Sequence, residues 1–182
     1  MLDITDIAAQ LPRNPADPNW FTRPIGAIRY IVVHYDDVLI PGSGKPYDPL
    51  ERYRQQAIYH MNKNWNEGPG KKVPGFGIMY HYKVSADGRI WRTQPEELIT
   101  WHARKANYNG LAVCCDLGSK QLPPDAQLEG LSALLNWLCY HRPDIPAGRP
   151  DVWGHGELRR AGNQTDCPGG VLPFVQTYRA GG

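Results

Sequence analysis

The sequence predicts an α/β domain with a central mixed β-sheet flanked by helices. Three observations carry this. Residues 28–34 (IRYIVVH) form a short β-branched run, the pattern of a buried central strand. Asp48-Pro49-Leu50-Glu51 holds the signals of a helix start: an acidic cap, proline at the first position, and glutamate three residues after the cap. Ala86-Asp87-Gly88 separates two apolar-polar alternating stretches and predicts a hairpin turn. Strands interleaved with two or three helices give a mixed sheet with helices against it.

The remaining elements follow in chain order. Residues 1–27 are rich in Pro and Asp and are expected to wrap the surface of a domain spanning 28–182. The first helix should reach about Asn62, with Leu50, Tyr53, Ala57 and Met61 on one face. Residues 64–76 read as a loop. Residues 77–84 (GIMYHYKV) alternate and read as a strand, with 89–92 as its return. Residues 111–117 read as another strand. Pro123-Pro124-Asp125 opens a second helix with Leu128, Leu131, Leu135 and Leu138 at helical spacing, ending before Pro143. Residues 152–155 form a short strand entering a Gly-rich loop, and 175–178 a last helical turn.

Composition bounds the function. The chain has 182 residues, the size of one domain, and is expected to act as a monomer. Lys+Arg is 20 against Asp+Glu 18, for a net charge of +2, which argues against a nucleic-acid binder. No apolar run approaches the roughly 18 residues of a membrane span, so no membrane insertion is expected. The first twenty residues lack a basic and then apolar leader pattern, so synthesis in the cytoplasm without a signal peptide is expected. Thiols stay reduced there, so Cys114, Cys115, Cys139 and Cys167 are expected in metal or buried-thiol roles rather than disulfides.

His34 closes an apolar strand, at the end where open α/β sheets bind ligands. His155 stands in Trp153-Gly154-His155-Gly156, again at a strand end. Thr165-Asp166-Cys167-Pro168-Gly169 follows closely enough to fold back beside it. Zinc takes imidazole nitrogen and thiolate sulfur, and a catalytic site uses three protein ligands. His34, His155 and Cys167 would make such a set. The spacing alone leaves the bland reading open: hydrogen-bonded structural histidines and a small core cysteine. Of Trp65, Trp91, Trp101 and Trp153, one or two are expected to be exposed at the site, the rest being core.

The residues resemble the zinc amidases that cleave N-acetylmuramoyl-L-alanine bonds. These are the type 2 amidases, which include phage endolysins and the peptidoglycan recognition proteins. Ile31-Val32-Val33-His34 is similar to the family's first ligand strand. Tyr59-His60 followed by Trp65 resembles the end of its first helix. Met79-Tyr80-His81-Tyr82 with Ser85-Ala86-Asp87-Gly88-Arg89-Ile90 resembles its hairpin. Trp101-His102-Ala103 followed by Asn107 resembles the loop after it. Gly154-His155 with Thr165-Asp166-Cys167-Pro168-Gly169 resembles the closing ligand segment. The matches run in order over about residues 28–170.

The resemblance implies a single domain of the amidase kind, with zinc (Zn2+) bound by His34, His155 and Cys167. It implies that Tyr80 assists the chemistry beside the metal and that His102 and Asn107 lie at the substrate groove. His60 and His81 would be structural. Zinc would lower the pKa of its water toward ~7, and zinc and Tyr80 would stabilise the oxyanion on the amide carbonyl. The implied substrate is peptidoglycan. The setting would be the cell wall, reached as a phage or prophage lysin or as a released enzyme. Two departures stand out. Where some relatives carry a glutamate base, this chain has Cys114, with Asp116 on the same strand face as a substitute. Where certain phage amidases carry lysine, it has Thr165, whose hydroxyl can still hydrogen-bond an oxyanion. Two alternatives remain: a peptidoglycan-binding module without activity, or a zinc hydrolase of another wall amide. Non-catalytic relatives typically lose the cysteine, and Cys167 is retained here.

Overall fold

The β-branched run becomes the strand Tyr30–Tyr35, with its last five residues buried. In the computed structural model the described residues are all but 1, 15–20, 43–44, 66–72, 143–150, 160–161, 163 and 182. Among them are strands β1 (Ile4–Asp6), β2 (Tyr30–Tyr35), β3 (Tyr82–Val84), β4 (Ile90–Arg92), β5 (Gly110–Cys115) and β6 (Asp151–Gly154). The helices are α1 (Pro49–Asn62), α2 (Asp125–Tyr140) and α3 (Leu172–Ala180). The strands form one sheet in the order β1-β4-β3-β5-β2-β6. Only β3 and β4 pair antiparallel, as the hairpin requires; every other neighbour is parallel. The sheet is therefore mixed, with three helices.

Strand alternation sends side chains to two faces. Ile31, Val33, Leu111, Val113 and Cys115 point to one face and form a core with Leu131, Leu134, Leu135 and Leu138 of α2 and Val175 and Tyr178 of α3. On the other face Tyr53 and Ala57 of α1 pack with Ile7, Leu11, Ile78 and Trp91. Helix α1 starts as the sequence dictates: the Asp48 carboxylate accepts the N–H groups of Leu50 and Glu51. The turn of the hairpin uses Gly88 at φ 84°, a left-handed conformation that suits glycine.

Some elements differ from expectation. Of 77–84 only Tyr82–Val84 is strand. At Ile78 and Met79 the backbone bonds to side chains instead of a neighbouring strand: Met79 N–H donates to His60 Nδ1, and the Ile78 carbonyl accepts from Gln94. The strand predicted over 111–117 ends at Cys115. The last turn grows into the nine-residue α3. Within 1–27, Ile4–Asp6 joins the sheet edge against β4, and Ile7, Leu11 and Arg23 are buried.

Buried neutral rings, His60 and His81 among them, give the fold a pH dependence. His81 Nδ1 accepts the Ala112 N–H while Nε2 lies 2.8 Å from the Leu98 carbonyl, so the ring is neutral with both nitrogens used. Burial pushes His60 down to about 3 and His81 well below its ordinary value. The unfolded chain then takes up protons first. Stability is full above about pH 6.5 and falls as pH drops below it, by ~1.4 kcal/mol per pH unit for each ring. Urea midpoints from pH 7.5 to 4.5 should fall steadily below 6.5; a midpoint unchanged down to pH 5 would contradict neutral rings.

Candidate metal centre

His34, His155 and Cys167 come together at the C-terminal ends of β2 and β6. Each offers one ligand atom, and those atoms lie within 4.8 Å of one another. The register explains the approach of the histidines: Val33 pairs with Gly154, so the next residues on the two parallel strands are His34 and His155. Their ring centroids are 4.5 Å apart. Cys167 is brought in by a close backbone crossing, where Gly156 N–H donates to the Cys167 carbonyl. A Cβ at Gly156 would stand 2.2 Å from the Thr165 carbonyl oxygen, so this crossing requires glycine.

The donor set fits zinc. Cys167 Sγ is 3.6 Å from His34 Nδ1; bonds of ~2.3 Å to sulfur and ~2.0–2.1 Å to nitrogen at a tetrahedral angle give roughly 3.5 Å. The tautomer of His34 is fixed from behind. His102 Nε2 lies 3.2 Å from the Gly110 carbonyl, which can only accept, so that nitrogen carries the proton. His102 Nδ1 must then accept from His34 Nε2, at 2.9 Å. The lone pair of His34 Nδ1 is left facing Cys167 and His155. Burial holds His34 well below its ordinary pKa and His102 down to about 3, so both are neutral. Burial pushes the Cys167 thiol up to about 12, with the Tyr35 N–H on its sulfur opposing. A cation held there would displace that proton.

The centre lies in an open groove of about 1760 Å³. Tyr80, Thr165, His102 and Asn107 all line it. The Tyr80 ring is 5.3 Å from that of His34. Thr165 is exposed, and its hydroxyl oxygen accepts the Cys167 N–H, which leaves its own proton free to donate. His102 is buried behind His34, and the Asn107 side-chain oxygen accepts the N–H groups of His102 and Ala103. Both therefore brace the centre as well as border the groove. Trp65 and Trp101 line the groove; Trp91 is buried, and Trp153 stacks under Arg179 elsewhere. The four cysteines form no disulfide with one another.

A profile of the N-acetylmuramoyl-L-alanine amidase family matches residues 23–170. The chain belongs to that family. The amidase fold is also what solved structures return. The amidase LysC from Clostridium intestinale URNW covers 98% of this chain and 97% of its own, at 18% identity and TM-score 0.64. Drosophila peptidoglycan recognition protein SD covers 97% and 94%, at 17% and 0.70. Peptidoglycan recognition protein-LE, solved with tracheal cytotoxin, covers 96% and 92%, at 21% and 0.68. At these identities the likeness is one of fold. No curated protein matches significantly. Among the described residues no helix is long and apolar enough to cross a membrane.

Sequence reading missed a buried cluster beneath this amidase groove. Lys83 is 0% exposed, with Nζ 2.9 Å from both Asp36 Oδ2 and Asp116 Oδ1. Arg52 of α1 pairs with Asp36 at 2.6 Å. Tyr47 and Tyr53 donate to Asp116 Oδ2. Burial disfavours the charge on Lys83, but Asp116 and Asp36 outweigh it and hold its pKa above the ordinary value. Asp116 is thus a counter-ion within the cluster, committed to Lys83 and two tyrosines. The available signal was a lysine in the middle of an apolar strand.

Proposed function

We propose that this chain hydrolyses the amide bond between N-acetylmuramic acid and L-alanine in peptidoglycan, with zinc held by His34, His155 and Cys167. The observation that carries this reading is the convergence of two imidazoles and one thiol at the floor of an open groove. Zinc supplies Lewis acidity and a water activated near neutral pH. The protein supplies the rest. His102 holds His34 in the tautomer that presents Nδ1. The Tyr80 hydroxyl donates to the oxygen that gains charge as the amide carbonyl is attacked, a contribution of about 3 kcal/mol for a single such donor. Thr165 offers a neutral hydroxyl on the rim to the same oxygen or to the peptide. The groove, with Trp65 and Trp101 on its wall, takes a sugar-peptide chain. The retained cysteine favours activity over a module that only binds the wall.

The test joins metal removal to product analysis. Chelation should abolish release of L-alanine amino termini from purified wall, and added zinc should restore it, with no new reducing sugars. Release by stringently metal-free protein would contradict the zinc role. New reducing ends alone would indicate a glycosidase.

A further inference from the structure

Arg23 has no part in the proposed chemistry, yet it is buried, 3% exposed, in the segment before β2. Backbone bonds lay that segment along the stretch 96–110. Arg23 N–H donates to the Glu97 carbonyl at 2.7 Å, and Ile99 N–H to the Phe21 carbonyl at 2.8 Å. The guanidinium then reaches both ends of the stretch. Nε and Nη2 donate to the Glu96 carbonyl, at 3.3 and 3.1 Å. Nη1 shares its two protons among the carbonyls of Asn107, Tyr108 and Gly110, at 2.7, 2.9 and 2.8 Å. Nη2 also lies 3.3 Å from Nε2 of the neutral His81 ring. One cation thus closes the span that carries His102.

Two of the residues that Arg23 grips are also the two that hold His102. The Gly110 carbonyl accepts from His102 Nε2 at 3.2 Å. The Asn107 side-chain oxygen accepts the N–H groups of His102 and Ala103, at 3.0 and 2.6 Å. We infer that Arg23 is a positioning residue for the metal centre: by fixing Gly110 and Asn107 it orients His102, and through His102 it keeps Nδ1 of His34 bare toward the zinc. The presence of zinc rests on the amidase reading; the hydrogen bonds do not. The residue type follows from the geometry. A guanidinium is a planar fork of five donors that stays charged, so it can span carbonyls from two parts of a loop. A lysine is a point charge on a flexible stem and reaches one end only. The carbonyls in turn supply the hydrogen bonds that a buried charge requires. The segment 1–27, expected only to wrap the surface, then supplies part of the centre's support.

The experiment uses Arg23→Lys, which keeps the charge without the fork, with Arg23→Gln in its place if the lysine variant does not fold. Urea midpoints establish which variant is folded. In zinc-free protein carrying 15N in histidine, the ring signals of His102 and His34 are assigned by their loss in His102→Ala and His34→Ala. The parent should show one tautomer at both rings, protonated at Nε2. The Arg23 variant should show ring shifts averaged between tautomers. Its zinc affinity, read by competition with a chelator, should fall about 10-fold, within the 10–100-fold attached to a ligand's outer partners. In the His102→Ala background the same substitution should cost no further affinity. Unchanged ring signals, or an unchanged zinc affinity, in a folded variant overturn the inference. An affinity loss of equal size without the His102 ring overturns it too. A parent that takes up no zinc, or that cleaves no wall when loaded, overturns the amidase reading. If its ring signals still answer to Arg23, the orienting role stands.

Discussion

Cys167→Ser is expected to strip zinc from the protein and to lower wall hydrolysis by more than about 100-fold, since disturbing even a ligand's outer partner costs 10–100-fold. A serine hydroxyl does not ionise near neutral pH and is a poor zinc donor beside a thiolate. The fold should survive. Cys167 is small, its sulfur accepts the Tyr35 N–H at 3.4 Å, and a serine oxygen can accept that bond. The adjoining backbone bond from Gly156 does not involve the side chain. Zinc content after dialysis and turnover on purified wall should therefore fall together while the urea midpoint stays near that of the parent. Full zinc occupancy in the variant would remove Cys167 from the ligand set.

Lys83→Met should cost about 3–5 kcal/mol of stability, the range for breaking a buried ion pair on one side. The loss leaves Asp36 and Asp116 facing each other in a region where their side chains are 1% and 0% exposed. Arg52 compensates part of this, at 2.6 Å from Asp36 and 3.9 Å from Asp116. Adding Asp116→Asn should recover much of the loss, because it removes the surplus negative charge. The cluster ties β3 to the C-terminal ends of β2 and β5 and to α1, so the base of the metal centre depends on it. Urea unfolding at pH 7 checks both variants. A single variant within 1 kcal/mol of the parent would show that the cluster is dispensable (an order-of-magnitude threshold, about one exposed pair).

What the sequence disclosed divides along physical lines. Local signals were legible: the β-branched run of β2, the Asp48 cap and Pro49 of α1, the Gly88 turn, and the leucine spacing of α2. Each depends on residues within a few positions of one another. The three candidate ligands were picked out through short motifs in a family order, although spacing alone left a structural reading open, and the fold brings their side chains together. Features set by distant partners were not legible. The stretch before Tyr82 alternates like a strand, but His60 and Gln94 take its backbone groups. Strand β1 is three residues long and gains its place only by pairing with β4. Lys83 lies among carboxylates just past the ends of two other strands, and His102 reaches His34 across 68 positions of sequence. No local pattern encodes such meetings.

The account stands on one cation bound by two nitrogens and a sulfur. X-ray absorption at the zinc edge of the metal-loaded protein measures that directly. It should give one zinc per chain, with one sulfur at ~2.3 Å and nitrogen or oxygen scatterers at ~2.0–2.1 Å. The sulfur shell should vanish in any zinc that Cys167→Ser still holds. A zinc shell without sulfur in the parent protein would contradict the assignment of Cys167 and, with it, the centre described here.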